Sequence, residues 1–132
     1  MTRIGIWTGG GTRETRSGVG MTNYRNGRDF EWAVRDALID DGYWVTRSAG
    51  SKTKVDLIAV KPGEVLFVQA KRDGKIGPAE RTTLLELAAM LPGVAAPILA
   101  YRTGRPAHVV YALLLGPGPK DRCPWIPDEV AA

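Results

Sequence analysis

Residues 55–71 read VDLIAVKPGEVLFVQAK, and this stretch has the pattern of a β-hairpin. Two runs rich in β-forming apolar residues, 56–60 and 65–71, are separated by a turn signal, Lys61-Pro62-Gly63-Glu64. The tip is either the Pro62-Gly63 pair alone or a four-residue loop closed by Val60 and Val65. We favour the longer loop, because Pro-Gly is not the preferred pair for a two-residue hairpin.

Both loops give the same register, which pairs Ile58 with Phe67 and Asp56 with Gln69. Directly opposed residues have Cβ atoms about 4.5–5.5 Å apart, so Asp56 and Gln69 can both reach one cation. Lys71 lies two residues beyond Gln69, and its side chain therefore emerges on the same face. We expect an acidic group, an amide oxygen and an ammonium group to meet at the open end of the hairpin.

This combination suits phosphodiester hydrolysis better than most reactions. A hard cation such as Mg²⁺ takes oxygen ligands and keeps several waters. Bound at Asp56 and Gln69, it would polarise a phosphate and help to generate hydroxide. Lys71 would orient or deprotonate the attacking water, or neutralise the charge that develops on the phosphate. Taken singly, Asp56 is better explained as a residue that caps the loop before its strand.

The segments around the hairpin predict an α/β domain with a mixed sheet flanked by helices. Glu80 is expected near the start of the second helix, where its charge suits the helix dipole. The predicted elements are a helix within residues 27–41, a strand at 43–47, the two hairpin strands, a helix from Pro78, and strands at 96–102 and 108–115. The predicted order is therefore αβββαββ.

The composition indicates one basic domain. The chain has 132 residues, with 18 Lys and Arg against 14 Asp and Glu, and such a charge favours nucleic acid or an acidic membrane surface. The single Cys123 excludes a disulfide framework and a Cys-rich zinc site, and the single His108 excludes a histidine of a catalytic triad at any other position. No apolar stretch approaches the roughly 20 residues that span a bilayer, and no secretion signal is recognisable, so a cytoplasmic location is expected.

We expect the domain to cover residues 23–115. The glycines and scattered arginines of residues 1–22 show no apolar periodicity and predict a flexible basic arm. Residues 116–132 are rich in proline and are expected to form an irregular tail.

Four segments in order carry a resemblance to a known family. They are Arg25-Asn26-Gly27-Arg28-Asp29-Phe30-Glu31, the strand and loop YWVTRSAGS at residues 43–51, the strand VDLIAV at 55–60, and Gln69-Ala70-Lys71. Together they resemble the archaeal-type Holliday junction resolvases of the PD-(D/E)xK nuclease superfamily, over residues 24 to about 102. Gln69 departs from the pattern, since it stands where the family has an acid.

The resemblance implies a restriction-endonuclease-like core and a Mg²⁺- or Mn²⁺-dependent endonuclease that cuts branched DNA such as four-way junctions. It also implies a homodimer, because symmetric nicking of a junction needs two active sites, and no membrane partner. The implied catalytic residues are Glu31, Asp56, Gln69, Lys71 and Ser51. The implied metal ligands are Glu31, Asp56, Gln69 and the carbonyl of Ala70. The expected DNA-binding residues are Arg25, Arg28, Arg47, Lys52, Lys54, Arg72 and Lys75.

Two rival functions remain open at the level of sequence. One is another nuclease of the superfamily, of the restriction or repair type, for which QxK is compatible. The other is a catalytically degenerate DNA-binding module, in which the neutral Gln69 marks lost metal binding. Without the family pattern, Glu31 is an ordinary helix residue, and the basic residues form a solvated face, as charge runs usually do.

Overall fold

The computed structural model describes residues 23–48 and 55–127, which form two helices and six strands. The helices are α1 (Asn23–Asp40) and α2 (Pro78–Ala89), and the strands are β1 (Trp44–Arg47), β2 (Leu57–Lys61), β3 (Glu64–Ala70), β4 (Ala95–Thr103), β5 (His108–Leu114) and β6 (Arg122–Trp125). The predicted α/β class, with a mixed sheet and flanking helices, is confirmed.

The six strands lie side by side in the order of the sequence. All neighbouring pairs are antiparallel except β3 and β4, which run parallel. A parallel pair needs a crossover connection, and α2 lies between these two strands in the chain. The carboxyl end of β3 therefore leads directly into the segment before α2.

The hairpin has the predicted register, with Val60 opposite Val65 and Ile58 opposite Phe67. Its loop differs from the expectation. Pairing continues to Lys61 and Glu64, so the four-residue loop is wrong and the tip is Pro62-Gly63. Gly63 has a positive φ of 78°, and proline followed by a glycine of positive φ is the combination that a type II turn requires.

The two helices cover opposite faces of the sheet. Alternation along a strand sends successive side chains to opposite sides, so Leu66 and Val68 pack in one apolar cluster while Phe67 packs in the other. The first cluster contains Val34 of α1, and the second contains Leu84 of α2. By the same alternation, Gln69 and Lys71 belong to the α2 side of the sheet.

The sixth strand corrects the expected irregular tail. Residues Arg122–Trp125 pair antiparallel with β5, and Trp125 meets Tyr111 edge to face with ring centroids 5.8 Å apart. Pro124 obscured this strand in the sequence, because proline is confined to edge strands and bulges, and β6 is an edge strand. The order is therefore αβββαβββ. None of the helices described is long and apolar enough to cross a membrane.

Candidate active site

Asp56 lies at the open end of the hairpin, one residue before β2. Its Oδ2 accepts a hydrogen bond of 2.9 Å from the backbone N–H of Ala70, and its own N–H donates to the carbonyl of Val68 at 3.0 Å. These two bonds replace the next rung of the ladder and fix the carboxylate beside the end of β3. The strand that was expected to begin at Asp56 therefore begins at Leu57.

Gln69 and Lys71 meet at a carboxylate that the sequence analysis did not place in the site. Gln69 Nε2 donates to Oε2 of Glu80 at 3.2 Å, and Lys71 Nζ lies 2.9 Å from the same oxygen. The other oxygen, Oε1, accepts from the N–H of Gly77 at 3.1 Å and caps α2. A glutamate three residues after a helix cap was the available signal, but only the packing of α2 on this face brings it to the hairpin.

Gln69 is the most buried polar residue of the hairpin end, with 4% of its surface exposed. Its Oε1 is buried and has no hydrogen-bond partner within the described part of the chain. A buried polar atom without a partner costs about 1–3 kcal/mol. This oxygen is therefore available to a ligand.

Asp56 is in an environment that disfavours its charge. Burial is the main cause that raises the pKa of Asp56 to about 6 from 3.8. The hydrogen bond from Ala70 and the charge of Lys71 lower that pKa, whereas the charges of Glu31 and Glu80 raise it. Carboxyl groups with a pKa near neutrality are concentrated at functional sites, although buried structural networks produce them as well.

Glu31 lies on α1, which covers the face of the sheet opposite to Gln69. It projects from α1, and its Oε1 accepts hydrogen bonds from Arg47 Nε at 3.3 Å and Nη2 at 3.2 Å. Arg47 ends β1, next to β2. Glu31 is therefore tied to the edge of the sheet, near enough for its charge to act on Asp56.

The predicted DNA-binding residues are only partly described. Arg72 lines an open cleft of about 400 Å³ together with Arg102 and His108, and its Nε has no hydrogen-bond partner within residues 23–48 and 55–127. Lys75 is exposed, and Arg28 is partly buried. Ser51, Lys52 and Lys54 lie outside the described residues, as does the side chain of Arg25.

The donors at the hairpin end suit a hard cation. Among the residues that the structure describes, no three side chains of His, Cys, Asp or Glu form a group that could hold a metal by themselves. The site instead mixes donor types at the end of β3, where the Asp56 carboxylate bonds the N–H of Ala70 and the preceding residue is Gln69. Both side chains offer oxygen donors of the kind that Mg²⁺ and Mn²⁺ prefer, and the orphaned Gln69 Oε1 is the atom that such an ion would satisfy.

Known proteins share this hairpin and its surroundings. The family model of the archaeal Holliday junction resolvases matches residues 22–115. The crossover junction endodeoxyribonuclease Hjc of Methanocaldococcus jannaschii is 48% identical over 52 residues, which is 39% of this chain and 38% of that relative. The match thus spans under two-fifths of the relative's length. Because the family model covers well over half of the chain, the chain belongs to the archaeal Holliday junction resolvase family.

Proposed function

We propose that this protein is an endonuclease that hydrolyses phosphodiester bonds in branched DNA, four-way junctions in particular, with Mg²⁺ or Mn²⁺. Membership of the resolvase family supports this function, as does the matched relative, which is named a crossover junction endodeoxyribonuclease. The observation that carries it is that Gln69 and Lys71 both contact the Glu80 carboxylate, at the end of the hairpin where Asp56 bonds the N–H of Ala70.

The proposed roles follow from the donor types. Asp56, Gln69 and the Ala70 carbonyl hold the metal, which when bound polarises the scissile phosphate and favours hydroxide at neutral pH. Lys71 orients the attacking water or neutralises the charge that develops on the phosphate. The ion pair with Glu80 holds its ammonium group at the hairpin end.

Two further residues complete the proposed catalytic set. Glu31 adds a carboxylate from α1 whose charge acts on Asp56. It is paired with Arg47, so a metal ligand role for Glu31 requires that pair to open. Ser51 is proposed to contact the substrate near the scissile phosphate, because the resemblance places it there and it lies between β1 and β2 in the sequence.

Basic residues around the hairpin are proposed to bind DNA phosphates. The set is Arg25, Arg28, Arg47, Lys52, Lys54, Arg72 and Lys75, and the cleft that Arg72 shares with Arg102 supports it. Each phosphate contact releases counterions, so binding should weaken steeply with salt.

We also propose that the protein is a two-fold homodimer, since paired nicks need two active sites. It is proposed to act in the cytoplasm, where the DNA of a prokaryote or its virus lies.

The neutral Gln69 favours a second candidate function, a DNA-binding module that has lost catalytic activity.

The decisive experiment incubates the protein with labelled four-way junction, linear duplex and single strand, with and without Mg²⁺. Paired nicks confined to the junction support a resolvase. Cutting of plain duplex favours a restriction or repair nuclease, and junction binding without any cutting favours the degenerate module. Asp56→Asn is the control, and it should bind the junction without cutting it.

A further inference from the structure

Gln69 leaves the hairpin end one negative charge short. The resemblance places an acid at this position, but the chain has a neutral amide, so Asp56 is the only carboxylate of the pair. The affinity of a hard cation depends on the charge of its ligands. A second carboxylate close to Gln69 would therefore change what the site can bind.

Glu80 is such a carboxylate. Its Oε2 lies 3.2 Å from Gln69 Nε2 and 2.9 Å from Lys71 Nζ. Its Oε1 is engaged by the N–H of Gly77, so the helix cap uses one oxygen and the other faces the hairpin. Asp56 Oδ2 accepts from the backbone N–H of Ala70, the residue after Gln69, so both carboxylates contact the end of β3.

The carboxamide of Gln69 gives an independent indication that a ligand belongs here. It is 4% exposed, and while its Nε2 donates to Glu80, its Oε1 is buried and has no hydrogen-bond partner within the described residues. An oxygen-seeking cation would remove the cost of that orphaned atom, which is about 1–3 kcal/mol. The orphaned oxygen belongs to the same carboxamide whose Nε2 donates to Glu80, so it lies on a group in direct contact with that carboxylate.

We propose that Glu80 is a carboxylate ligand of the metal and supplies the negative charge that Gln69 lacks. Gln69 then positions Glu80 through Nε2 and offers Oε1 as a neutral ligand. Helix α2 packs on the face of the sheet that carries Gln69. Its first turn therefore places the Glu80 carboxylate next to the strand position at which the family has an acid. This inference rests on the proposed nuclease function.

The test measures Mn²⁺ binding to the full chain without DNA, with free Mn²⁺ followed by electron paramagnetic resonance. Glu80→Gln keeps an oxygen to cap Gly77, but it removes the charge and replaces Oε2, the acceptor for Gln69 Nε2 and Lys71 Nζ, with an amide nitrogen. It should weaken Mn²⁺ binding at least about tenfold. This is the lower end of the loss in metal affinity that follows when residues supporting a metal site are mutated. Glu86→Gln, on an exposed position of the same helix, is the matched control and should bind as the unaltered protein does. Circular dichroism melts confirm that each variant is folded.

Relocating the charge separates a ligand from a merely structural residue. Gln69→Glu combined with Glu80→Gln returns the carboxylate to the strand and should recover most of the lost Mn²⁺ affinity. Gln69→Glu alone is the reference for this comparison. If Glu80 is a ligand, the double variant binds Mn²⁺ more weakly than Gln69→Glu, whereas a merely structural Glu80 leaves the two variants equal. The inference is overturned if Glu80→Gln binds Mn²⁺ normally, or if the double variant binds as weakly as Glu80→Gln alone.

The result also distinguishes this inference from the proposed function. Suppose that the unaltered protein cuts junctions and Asp56→Asn does not, but Glu80→Gln binds Mn²⁺ normally. The proposed nuclease function is then supported, and the proposed role of Glu80 as a metal ligand is wrong. If the unaltered protein neither binds Mn²⁺ nor cuts any DNA, both are wrong.

Discussion

At the scale of the residue, Asp56 must be charged to bind a metal but lies in an environment that disfavours its charge. A metal ligand must be charged, yet burial and the neighbouring carboxylates Glu31 and Glu80 disfavour that charge, and the pKa of Asp56 is raised to about 6. Lys71 and the N–H of Ala70 offset only part of this effect. In the metal-free protein, the ionised Asp56 is therefore a source of instability.

The stability of the metal-free protein should reflect this pKa. Because the folded pKa is above the unfolded value of 3.8, folding favours the protonated form. That contribution is complete below 3.8 and is lost as the pH rises through about 6. Asp56→Asn, which stays neutral, should therefore be more stable than the unaltered protein at pH 8, by roughly 1–2 kcal/mol after allowance for solvent screening.

Urea unfolding in EDTA at pH 8 and near pH 4 measures this difference. The extra free energy of unfolding of Asp56→Asn should be smaller near pH 4 than at pH 8. Glu86→Gln, on the exposed surface of α2, should show no comparable difference between the two pH values. Equal stability of Asp56→Asn and the unaltered protein at pH 8 would contradict the raised pKa.

At the scale of the element, the end of the chain is fastened to the helix that carries Glu80. Arg81 follows Glu80 in α2, is 2% exposed, and donates to the carbonyls of Gly116, Pro119 and Asp121 at 3.1–3.4 Å. These bonds hold the loop that precedes β6. Arg122 of β6 donates in turn to the carbonyl of Gly74 at 2.9 Å, in the segment between Lys71 and α2.

Arg81→Met should destabilise the protein by roughly 3 kcal/mol. The substitution retains an apolar stem but removes the donor of the Gly116 and Pro119 carbonyls, while the Asp121 carbonyl keeps its bond from the Leu115 N–H. Hydrogen bonds from a charged group contribute about 1.5–3 kcal/mol each. Chemical denaturation measures the change. Arg105→Met, at an exposed position of the β4–β5 turn, serves as the control and should unfold as the unaltered protein does.

Trp125→Ala tests the contribution of β6 directly. It removes the edge-to-face contact with Tyr111 and part of the apolar cluster that α1 covers, and should cost about 2–4 kcal/mol of the free energy of unfolding. Ile126→Ala, at a side chain that is 78% exposed, should stay within about 0.5 kcal/mol. Equal, small effects of both substitutions would mean that β6 adds little to the sheet.

At the scale of the whole molecule, the proposed function requires two active sites on one junction. If the protein is a homodimer, sedimentation should give the mass of two chains at micromolar concentration. Mixed dimers of unaltered chain and Asp56→Asn should then make single nicks in place of paired ones, because each dimer retains one active site. Gel analysis of a supercoiled junction substrate separates the two products. A monomer that still makes paired nicks would contradict the proposal.

The hairpin and its register from Leu57 to Lys61 follow from residues 55–71 alone. The pairing of Asp56 with Gln69 does not continue that register, because Asp56 bonds the backbone of Val68 and Ala70 instead. Strand alternation and a short turn fix which side chains share a face, and both are local properties of the sequence. The turn length was wrong, because Pro62-Gly63 closes the hairpin directly. The match of the family model to residues 22–115 confirms the resemblance that those segments indicated.

Tertiary packing alone brought Glu80 to Gln69 and added β6 to the sheet. Glu80 is eleven residues from Gln69 in the chain, and its place depends on which face of the sheet α2 covers. The pairing of β6 depends on β5 offering a free edge and on Arg81 holding the connecting loop. Contacts between elements are set by packing rather than by local propensity. For that reason the sequence pattern indicated Glu80 as a helix-start residue but predicted neither its contact with Gln69 nor the pairing of β6.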